Sequence, residues 1–133
     1  MNRSVFLNLL VITVAVAFAA IVAVPAQETI GRYGDPRDPS VLERLLEEVR
    51  DDFLLVDVRT GMEFAQGHIP GAIQIDYRVI ADALAEADRS RPVVVYCRTG
   101  NRSSEAERTL RTMGFSEVYD FGGINRWPGA LLR

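Results

Sequence analysis

The sequence predicts an α/β fold in which a central, mostly parallel sheet carries helices on both faces. Short apolar segments typical of buried parallel strands alternate along the chain with segments of helical periodicity. The chain has 133 residues, of which 48% are hydrophobic and 25% charged, as expected of one globular domain of ordinary size. We therefore expect right-handed crossovers and a three-layer architecture.

The first 26 residues differ in composition from the rest of the chain. Arg3 and the amino terminus give a positive start, and Val5–Val24 is apolar with only two polar exceptions. The small residues Val24-Pro25-Ala26 suit a cleavage site, which predicts that residues 1–26 are an export signal peptide. An apolar stretch of about 20 residues also suits a retained membrane anchor. In either case we expect a periplasmic or otherwise extracytoplasmic domain, with membrane contact only through this segment.

Residues 27–37 contain two glycines and little periodicity, so we predict a linker there and a domain that spans residues 38–133. The domain opens with a helix, because Asp38 suits the N-cap and Pro39 the first helical position. The apolar residues of this helix recur with helical spacing, at Val41, Leu42, Leu45, Leu46 and Val49.

Seven further elements follow from apolar runs, periodicity and turn residues. In chain order we predict a strand over 53–58, a helical turn over 62–66, a strand over 72–75, a helix over 77–87, a strand over 93–97, a helix over 104–113 and a strand over 117–121. Ser104 and Glu107 fit a capping box at the start of the last helix, and Gly114 ends it.

The only cysteine, Cys97, ends the strand over 93–97 and lies between that strand and the last helix, where ligands bind in open parallel sheets. Gly100 allows a tight loop whose N–H groups can form an anion-binding nest, and Arg98 and Arg102 add positive charge. Cations and a helix N-terminus lower the pKa of a thiol. A single cysteine is often only a small buried hydrophobe, but this position favours a nucleophile.

Composition argues against several other classes of protein. The net charge is −3 without a basic cluster, so we expect no nucleic-acid partner. All 15 basic residues are arginine, which excludes lysine Schiff-base chemistry. One histidine and one cysteine cannot form a Cys/His zinc site, and a single cysteine cannot form an internal disulfide.

Three segments together resemble the rhodanese family of sulfurtransferases. The first, similar to the family's N-terminal signature, comprises Leu54–Arg59, Glu63-Phe64 and Gly67–Ala72. The second is the run Cys97–Ser103, similar to its active-site loop, and the third is Phe121–Ile124 with Trp127 and Gly129. The resemblance covers the chain from Asp38 onward, and with the export segment it is greatest to the small single-domain periplasmic rhodaneses.

The resemblance implies a thiosulfate sulfurtransferase that works through a Cys97 persulfide. Cys97 would take a sulfane sulfur from a small anionic donor such as thiosulfate and pass it to cyanide or a thiol. No metal or organic cofactor is implied. The implied substrate-binding residues are those of the loop, Arg98, Thr99, Gly100, Asn101, Arg102 and Ser103.

We expect structural roles near the site for five other residues, and for Asp57 and Arg59 the resemblance implies them. Asp57 and Arg59 follow the first strand, and Arg59 is a candidate partner of Glu63. His68, the only histidine, lies in a turn-rich loop and is expected to fix that loop by a hydrogen bond. Trp127 is expected to close the core or the rim of the pocket.

Three alternatives remain at this stage. A cysteine phosphatase or arsenate reductase is disfavoured, because Arg102 lies five positions after Cys97 instead of six and Tyr96 occupies the position of a histidine. The second is a persulfide carrier or binding module that delivers sulfur to a protein partner. The third is a redox or detoxification role in which Cys97 responds to oxidants.

Overall fold

A computed structural model describes residues 24–133. The predicted signal peptide or anchor therefore lies almost entirely outside the described residues. Within residues 24–133, no helix is long and apolar enough to cross a membrane.

In the described part of the chain, four parallel strands form the sheet, as the sequence predicted. They are β1 (Leu54–Asp57), β2 (Ile73–Gln74), β3 (Val93–Cys97) and β4 (Val118–Gly123), in the order β2-β1-β3-β4. Every residue of β3 is buried, as expected for a strand that has neighbours on both sides and helices on both faces. The carboxyl ends of β1, β3 and β4 meet at one edge, where Cys97 lies.

Five helices within residues 24–133 cover the sheet: α1 (Ala26–Tyr33), α2 (Pro39–Glu48), α3 (Gly61–Gln66), α4 (Ile80–Ala83) and α5 (Asn101–Thr112). Short 3₁₀ turns span Arg50–Asp52 and Ile124–Arg126. Two separate apolar clusters form the core, one on each face of the sheet. The predicted three-layer α/β fold is therefore confirmed.

Helix α2 begins as predicted, because the Asp38 carboxylate accepts a hydrogen bond of 2.8 Å from the Ser40 N–H and Pro39 is the first helical residue. The linker predicted over residues 27–37 is wrong in its first part, where α1 packs on α2. Ile30 is fully buried, and the Tyr33 hydroxyl donates to the Glu48 carboxylate at 2.8 Å. A helix this short depends on tertiary contacts, so its own periodicity gave little signal.

The predicted start of α5 is also wrong. The helix begins at Asn101, with Gly100 at the N-cap and no side-chain cap. The Ser104 N–H already makes a helical bond to Gly100 O at 3.0 Å, and Glu107 pairs with Arg111 at 2.8 Å instead of capping. The extra turn brings the helix N-terminus directly behind Cys97.

The helix predicted over 77–87 is reduced to α4. After Leu84 the backbone leaves the helical path, and the Arg89 guanidinium donates to three carbonyl oxygens at 2.7–2.9 Å, those of Leu84, Ala85 and Ala87. These bonds satisfy carbonyl groups that a longer helix would pair internally. The segment is amphipathic, as the sequence predicted. Hydrogen bonds from the Arg89 side chain nevertheless take the place of the helical bonds of its last turns.

Candidate active site

Cys97 is the last residue of β3 and pairs in register with Gly123 of β4. Its side chain is fully buried. The chain then turns sharply, because Gly100 has a φ of +108°, a conformation that glycine adopts without strain. This turn directs the Gly100 N–H at the Cys97 Sγ, with an N···S distance of 3.0 Å. The thiol thus lies on the floor of a loop formed by residues 98–100.

The Ser103 hydroxyl is the second group at the thiol. The Cys97 thiol donates to Ser103 Oγ at 3.5 Å, and this hydroxyl donates to Gly100 O at 3.0 Å. Ser103 itself is fully buried in the first turn of α5. Because a hydroxyl has one hydrogen, it must leave Gly100 O in order to donate to a thiolate.

Opposing effects set the pKa of the Cys97 thiol. Burial raises it, because the thiolate loses its hydration. Hydrogen bonds from the Ser103 hydroxyl and from the N–H groups of Ser103, Gly100 and Thr99 lower it and outweigh burial. The net result is a pKa below the ordinary value for cysteine. Such a thiol has a larger thiolate fraction near neutral pH and is a better nucleophile.

The space behind the loop is closed by Gly123. A Cβ atom at this position would lie 2.5 Å from the Asn125 Oδ1, 2.8 Å from Arg98 O and 3.3 Å from the Thr99 Cα. Two of these three atoms belong to the loop. The loop therefore rests directly on the backbone of β4, and only glycine permits this approach.

Arg102 holds the loop to α3 instead of pointing at the thiol as a free cation. Its guanidinium makes two bonds of 2.8 Å to the Glu63 carboxylate. Glu63 also forms a capping box with Thr60 at the start of α3. Chiefly because of the Arg102 bonds, the pKa of Glu63 falls to about 2, and that of Arg102 rises. The partly buried pair is therefore ionised across the physiological range.

The expected pairing of Arg59 with Glu63 is wrong. Arg59 pairs with the fully buried Asp57, at 2.6 Å between Nη2 and Oδ2, and donates to Gly67 O at 2.7 Å. The Asp57 carboxylate also accepts from the Arg59 N–H, which folds the two residues into one local turn. In addition, the Gln74 side-chain amide donates to Arg59 O at 2.7 Å. Asp57 and Arg59 thus fix the end of β1 beside the site.

His68 fixes the loop before β2. Its Nδ1 lies 3.0 Å from Phe64 O, and its ring stacks on the Phe64 ring with centroids 3.7 Å apart. The His68 N–H donates to Leu132 O at 2.9 Å, which ties down the C-terminal segment. Trp127 is half-buried against the core cluster that contains Phe121.

Three of the predicted loop residues face outward. Arg98, Thr99 and Asn101 are exposed, and the Arg98 side chain has no hydrogen bond or ion pair within residues 24–133. The structure thus brings Cys97 together with Gly100 and Ser103 and leaves the other three on the surface. Their role in substrate binding stays a prediction.

Sequence reasoning missed two features near the site. The Thr60–Glu63 capping box was visible as a Thr-x-x-Glu spacing before a short helix. The pair Asp76–Arg78, at 2.6 Å, had no signal in the sequence beyond its i, i+2 spacing. Among residues 24–133 there is no group of three or more His, Cys, Asp or Glu residues suited to a metal ion.

A family profile described as a rhodanese-like domain matches residues 38–130. The chain belongs to this family. The match includes the Cys97 loop, the Asp57–Arg59 turn and the Glu63–Arg102 bridge, so the geometry described above is that of a rhodanese-like domain.

Relatives of this rhodanese-like chain are named sulfurtransferases. A sulfurtransferase of Allochromatium vinosum is 42% identical over 89 residues, which cover 66% of this chain and 81% of that protein. A thiosulfate sulfurtransferase GlpE of Pseudomonas savastanoi pv. phaseolicola is 44% identical over 75 residues. These residues cover 56% of this chain and 71% of that protein.

Solved rhodanese-like structures have a similar fold. The Alr3790 protein of Anabaena sp. matches with a TM-score of 0.64 and 32% sequence identity. The match covers 68% of this chain and 82% of the Alr3790 chain. A structure described as a rhodanese with anions from E. coli matches with a TM-score of 0.55 and 30% sequence identity. The match covers 60% of this chain and 96% of the E. coli chain.

Proposed function

We propose that this protein is a sulfurtransferase that carries a sulfane sulfur on Cys97, with thiosulfate or a similar small anion as donor and a thiol or cyanide as acceptor. One observation carries the proposal: a buried thiol of lowered pKa lies 3.0 Å from the N–H of Gly100 in a glycine-turned loop. The names of relatives, a sulfurtransferase and thiosulfate sulfurtransferases, support the same chemistry.

In the first step the Cys97 thiolate attacks the outer sulfur of thiosulfate. A bond forms between Sγ and that sulfur, and the bond from the outer sulfur to the sulfonate sulfur breaks. The electron pair leaves with sulfite, so a thiolate and a dianion yield a persulfide anion and sulfite dianion. Charge and atoms balance without a cofactor or an outside oxidant.

Backbone N–H groups of the loop stabilise the negative charge on the Cys97 sulfur. The N–H groups of Thr99, Gly100 and Ser103 already favour the thiolate, and these N–H groups can also favour the persulfide anion. Such donors need no reorganisation, because the positive-φ turn at Gly100 and the contact with Gly123 fix the backbone. Arg98 is exposed and unpaired in the described part of the chain, so it is free to attract an anionic donor.

In the second step a thiophilic acceptor attacks the outer sulfur of the persulfide. A bond forms between the acceptor atom and that sulfur, the sulfur–sulfur bond to Cys97 breaks, and Cys97 returns as a thiolate. With cyanide the product is thiocyanate, and with a thiolate it is a new persulfide. The buried position of Cys97 favours a slender donor and acceptor over a bulky tetrahedral phosphate ester.

The test is sulfur transfer from thiosulfate to cyanide, measured as thiocyanate. We expect turnover by the wild-type protein and none by Cys97→Ala, with Ser104→Ala, the half-buried neighbour of Ser103, as the control. Failure of the wild-type protein with every sulfane donor would contradict the proposal. A stable persulfide combined with poor turnover of small acceptors would favour a carrier that serves a protein partner.

We propose in addition that the reaction takes place outside the cytoplasm. The proposal is supported by the apolar segment Val5–Val24 and the small residues that follow it. Fractionation of cells that express the full chain would test it. We expect the protein in the periplasmic or membrane fraction, and recovery in the cytoplasmic fraction would overturn it.

A further inference from the structure

A cleft of about 310 Å³ lies on the face of the sheet opposite the core cluster that contains Cys97. Its apolar surface is formed by Leu46 of α2, Pro70 in the loop before β2 and Trp127 after β4. Leu46 and Trp127 pack against the core cluster that contains Phe121. None of the described residues that line the cleft belongs to the Cys97 loop. The cleft is therefore separate from the proposed site of sulfur transfer.

The indole ring of Trp127 forms a fixed wall of the cleft. Its Nε1–H donates to Ala130 O at 3.3 Å, which holds the ring against the turn over residues 127–130. A Cβ atom at Gly129 would lie 3.0–3.2 Å from three atoms of the indole, so the backbone of this turn touches the ring. The ring is half-buried, and the remaining part of its surface lines the cleft. The cleft thus has an aromatic surface whose position is set before a ligand binds.

Two carboxylates lie at the same cleft. Glu43 and Glu47 are one helical turn apart on α2, which places them on one face of the helix. Glu43 is half-buried and Glu47 is exposed. Neither side chain makes a hydrogen bond or an ion pair in the described part of the chain. By contrast, Glu63 and Asp76 are paired with arginine. The carboxylates at the cleft are therefore available to a cation from outside the chain.

Arg50, in the 3₁₀ turn after α2, is the one basic residue among the described residues that line the cleft. It is exposed and makes no ion pair with Glu43 or Glu47. Two carboxylates against one guanidinium leave a net charge of −1 on the lining residues. The cleft thus combines an aromatic wall, apolar side chains and an excess of negative charge.

We infer that the cleft binds a small organic cation, an amine or a quaternary ammonium ion attached to an apolar group. Glu43 and Glu47 attract the positive charge, and tryptophan is the aromatic side chain that attracts a cation most strongly. Leu46 and Pro70 supply surface for the apolar part of the ligand. The volume equals that of about ten water molecules, which suits a free small molecule. This inference is independent of the proposed function.

A lysine or arginine side chain of a partner protein carries the same charge, but the surroundings of the cleft favour a free molecule. A protein partner needs apolar surface beyond a single small cleft. The exposed large hydrophobic residues of the described chain are Val24, Met62, Ile73, Val79, Leu131 and Leu132. None of these six lines the cleft. Binding of a basic protein segment is therefore an outcome of the test.

Trp127 is the only tryptophan of the chain, so tryptophan fluorescence reports on this cleft. The protein is titrated with phenethylammonium, and with phenethyl alcohol and 3-phenylpropionate as a neutral and an anionic analogue of similar size. We expect a saturable change with phenethylammonium and a dissociation constant on the order of 1 mM. The alcohol should bind about threefold more weakly and the anion about tenfold more weakly, and high salt should reduce this preference. Ligand-observed NMR with the same compounds separates binding from collisional quenching.

Single substitutions at the cleft should change the affinity in opposite directions. Glu43→Gln and Glu47→Gln should each weaken phenethylammonium binding by about threefold, because each removes a negative charge with little change in shape. Arg50→Gln should strengthen it by about twofold, because a like charge is removed. Glu105→Gln is the matched control, since Glu105 is exposed, has no ion pair in the described chain and lies on α5 at the opposite face of the sheet.

Each outcome supports or overturns the inference. Equal affinity for the cation and the anion would overturn it, as would effects of Glu43→Gln and Glu47→Gln no larger than that of Glu105→Gln. A fluorescence change that never saturates, without binding by NMR, would also overturn it. A peptide of leucine and lysine that bound more than about tenfold more tightly than phenethylammonium would assign the cleft to a protein partner instead. Cys97→Ala should bind phenethylammonium with unchanged affinity, so failure of this inference and failure of the proposed function are distinguishable.

Discussion

The Ser103 hydroxyl provides the most specific prediction about how the thiol is activated. Ser103→Ala removes the side-chain donor at 3.5 Å from Sγ and leaves the backbone donors in place. Burial of Cys97 is unchanged, so the loss is not offset by better hydration of the thiolate. We therefore expect a higher pKa for Cys97.

The magnitude follows from the exchange of partners. A hydrogen bond to a charged group contributes about 1.5–3 kcal/mol, and the distance of 3.5 Å places this bond at the weak end. To donate to the thiolate, the hydroxyl gives up its bond to Gly100 O, which costs about 1 kcal/mol or less because that oxygen also accepts from Ser104 N–H. About 0.5–1 kcal/mol remains, which corresponds to roughly half a pKa unit.

The assay is the rate of Cys97 alkylation by iodoacetamide as a function of pH, together with the ultraviolet absorbance of the thiolate. Below both pKa values, we expect Ser103→Ala to react about threefold more slowly than the wild-type protein, because its thiolate fraction is lower. Ser104→Ala, one residue further along α5, should leave the profile unchanged. An identical profile for Ser103→Ala and the wild-type protein would refute this reasoning, since the backbone donors alone would then hold the thiolate.

Three further predictions concern the residues that support the site. Glu63→Gln should lower the free energy of unfolding by about 1–2 kcal/mol at neutral pH, because the partly buried Arg102 loses its charged partner. The pKa of Glu63 is lowered to about 2 from 4.5, so its stabilising effect is complete above pH 4.5 and disappears as the pH falls toward 2. Asp57→Asn should cost about 3 kcal/mol, since it leaves the buried Arg59 without a carboxylate. Gly123→Ala should cost about 2 kcal/mol and slow sulfur loading, because the new methyl group displaces the loop.

Urea unfolding measures the three stabilities, and each prediction has an outcome that contradicts it. A Glu63→Gln deficit that persisted at pH 2 would show that the carboxylate charge is not its source. For Asp57→Asn, a loss below about 1 kcal/mol would mean that water or another group solvates Arg59. Gly31→Ala is the control for Gly123→Ala, because its Cβ would meet nothing within 4 Å; equal effects of the two would contradict the steric argument.

The fold and the position of the nucleophile could be predicted because their signals are local. Apolar runs located all four strands, and the parallel arrangement places the carboxyl ends of β1, β3 and β4 at one edge, with Cys97 among them. The N-cap of α2 was equally local, since Asp38 and Pro39 are adjacent in sequence. The loop around Gly100 follows from the special backbone freedom of glycine.

The errors arose where a side chain or a helix depends on distant partners. Arg59 pairs with Asp57 because Glu63 is taken by Arg102, which lies 39 residues further along the chain. Burial of Ile30 against the rest of the domain stabilises helix α1. This tertiary contact cannot be predicted from the short sequence of the helix itself. The exposed position of Arg98 likewise depends on how the whole loop turns.

The central claim is that Cys97 carries the transferred sulfur, and intact-mass analysis tests it most directly. The purified protein is incubated with thiosulfate and freed of excess donor, and its intact mass is measured. The Cys97→Ser variant is treated and measured in the same way. We predict a gain of one sulfur atom on the wild-type protein, its loss on addition of cyanide, and no gain on Cys97→Ser. A wild-type thiol that alkylates readily but gains no sulfur from thiosulfate or any other sulfane donor would contradict the account.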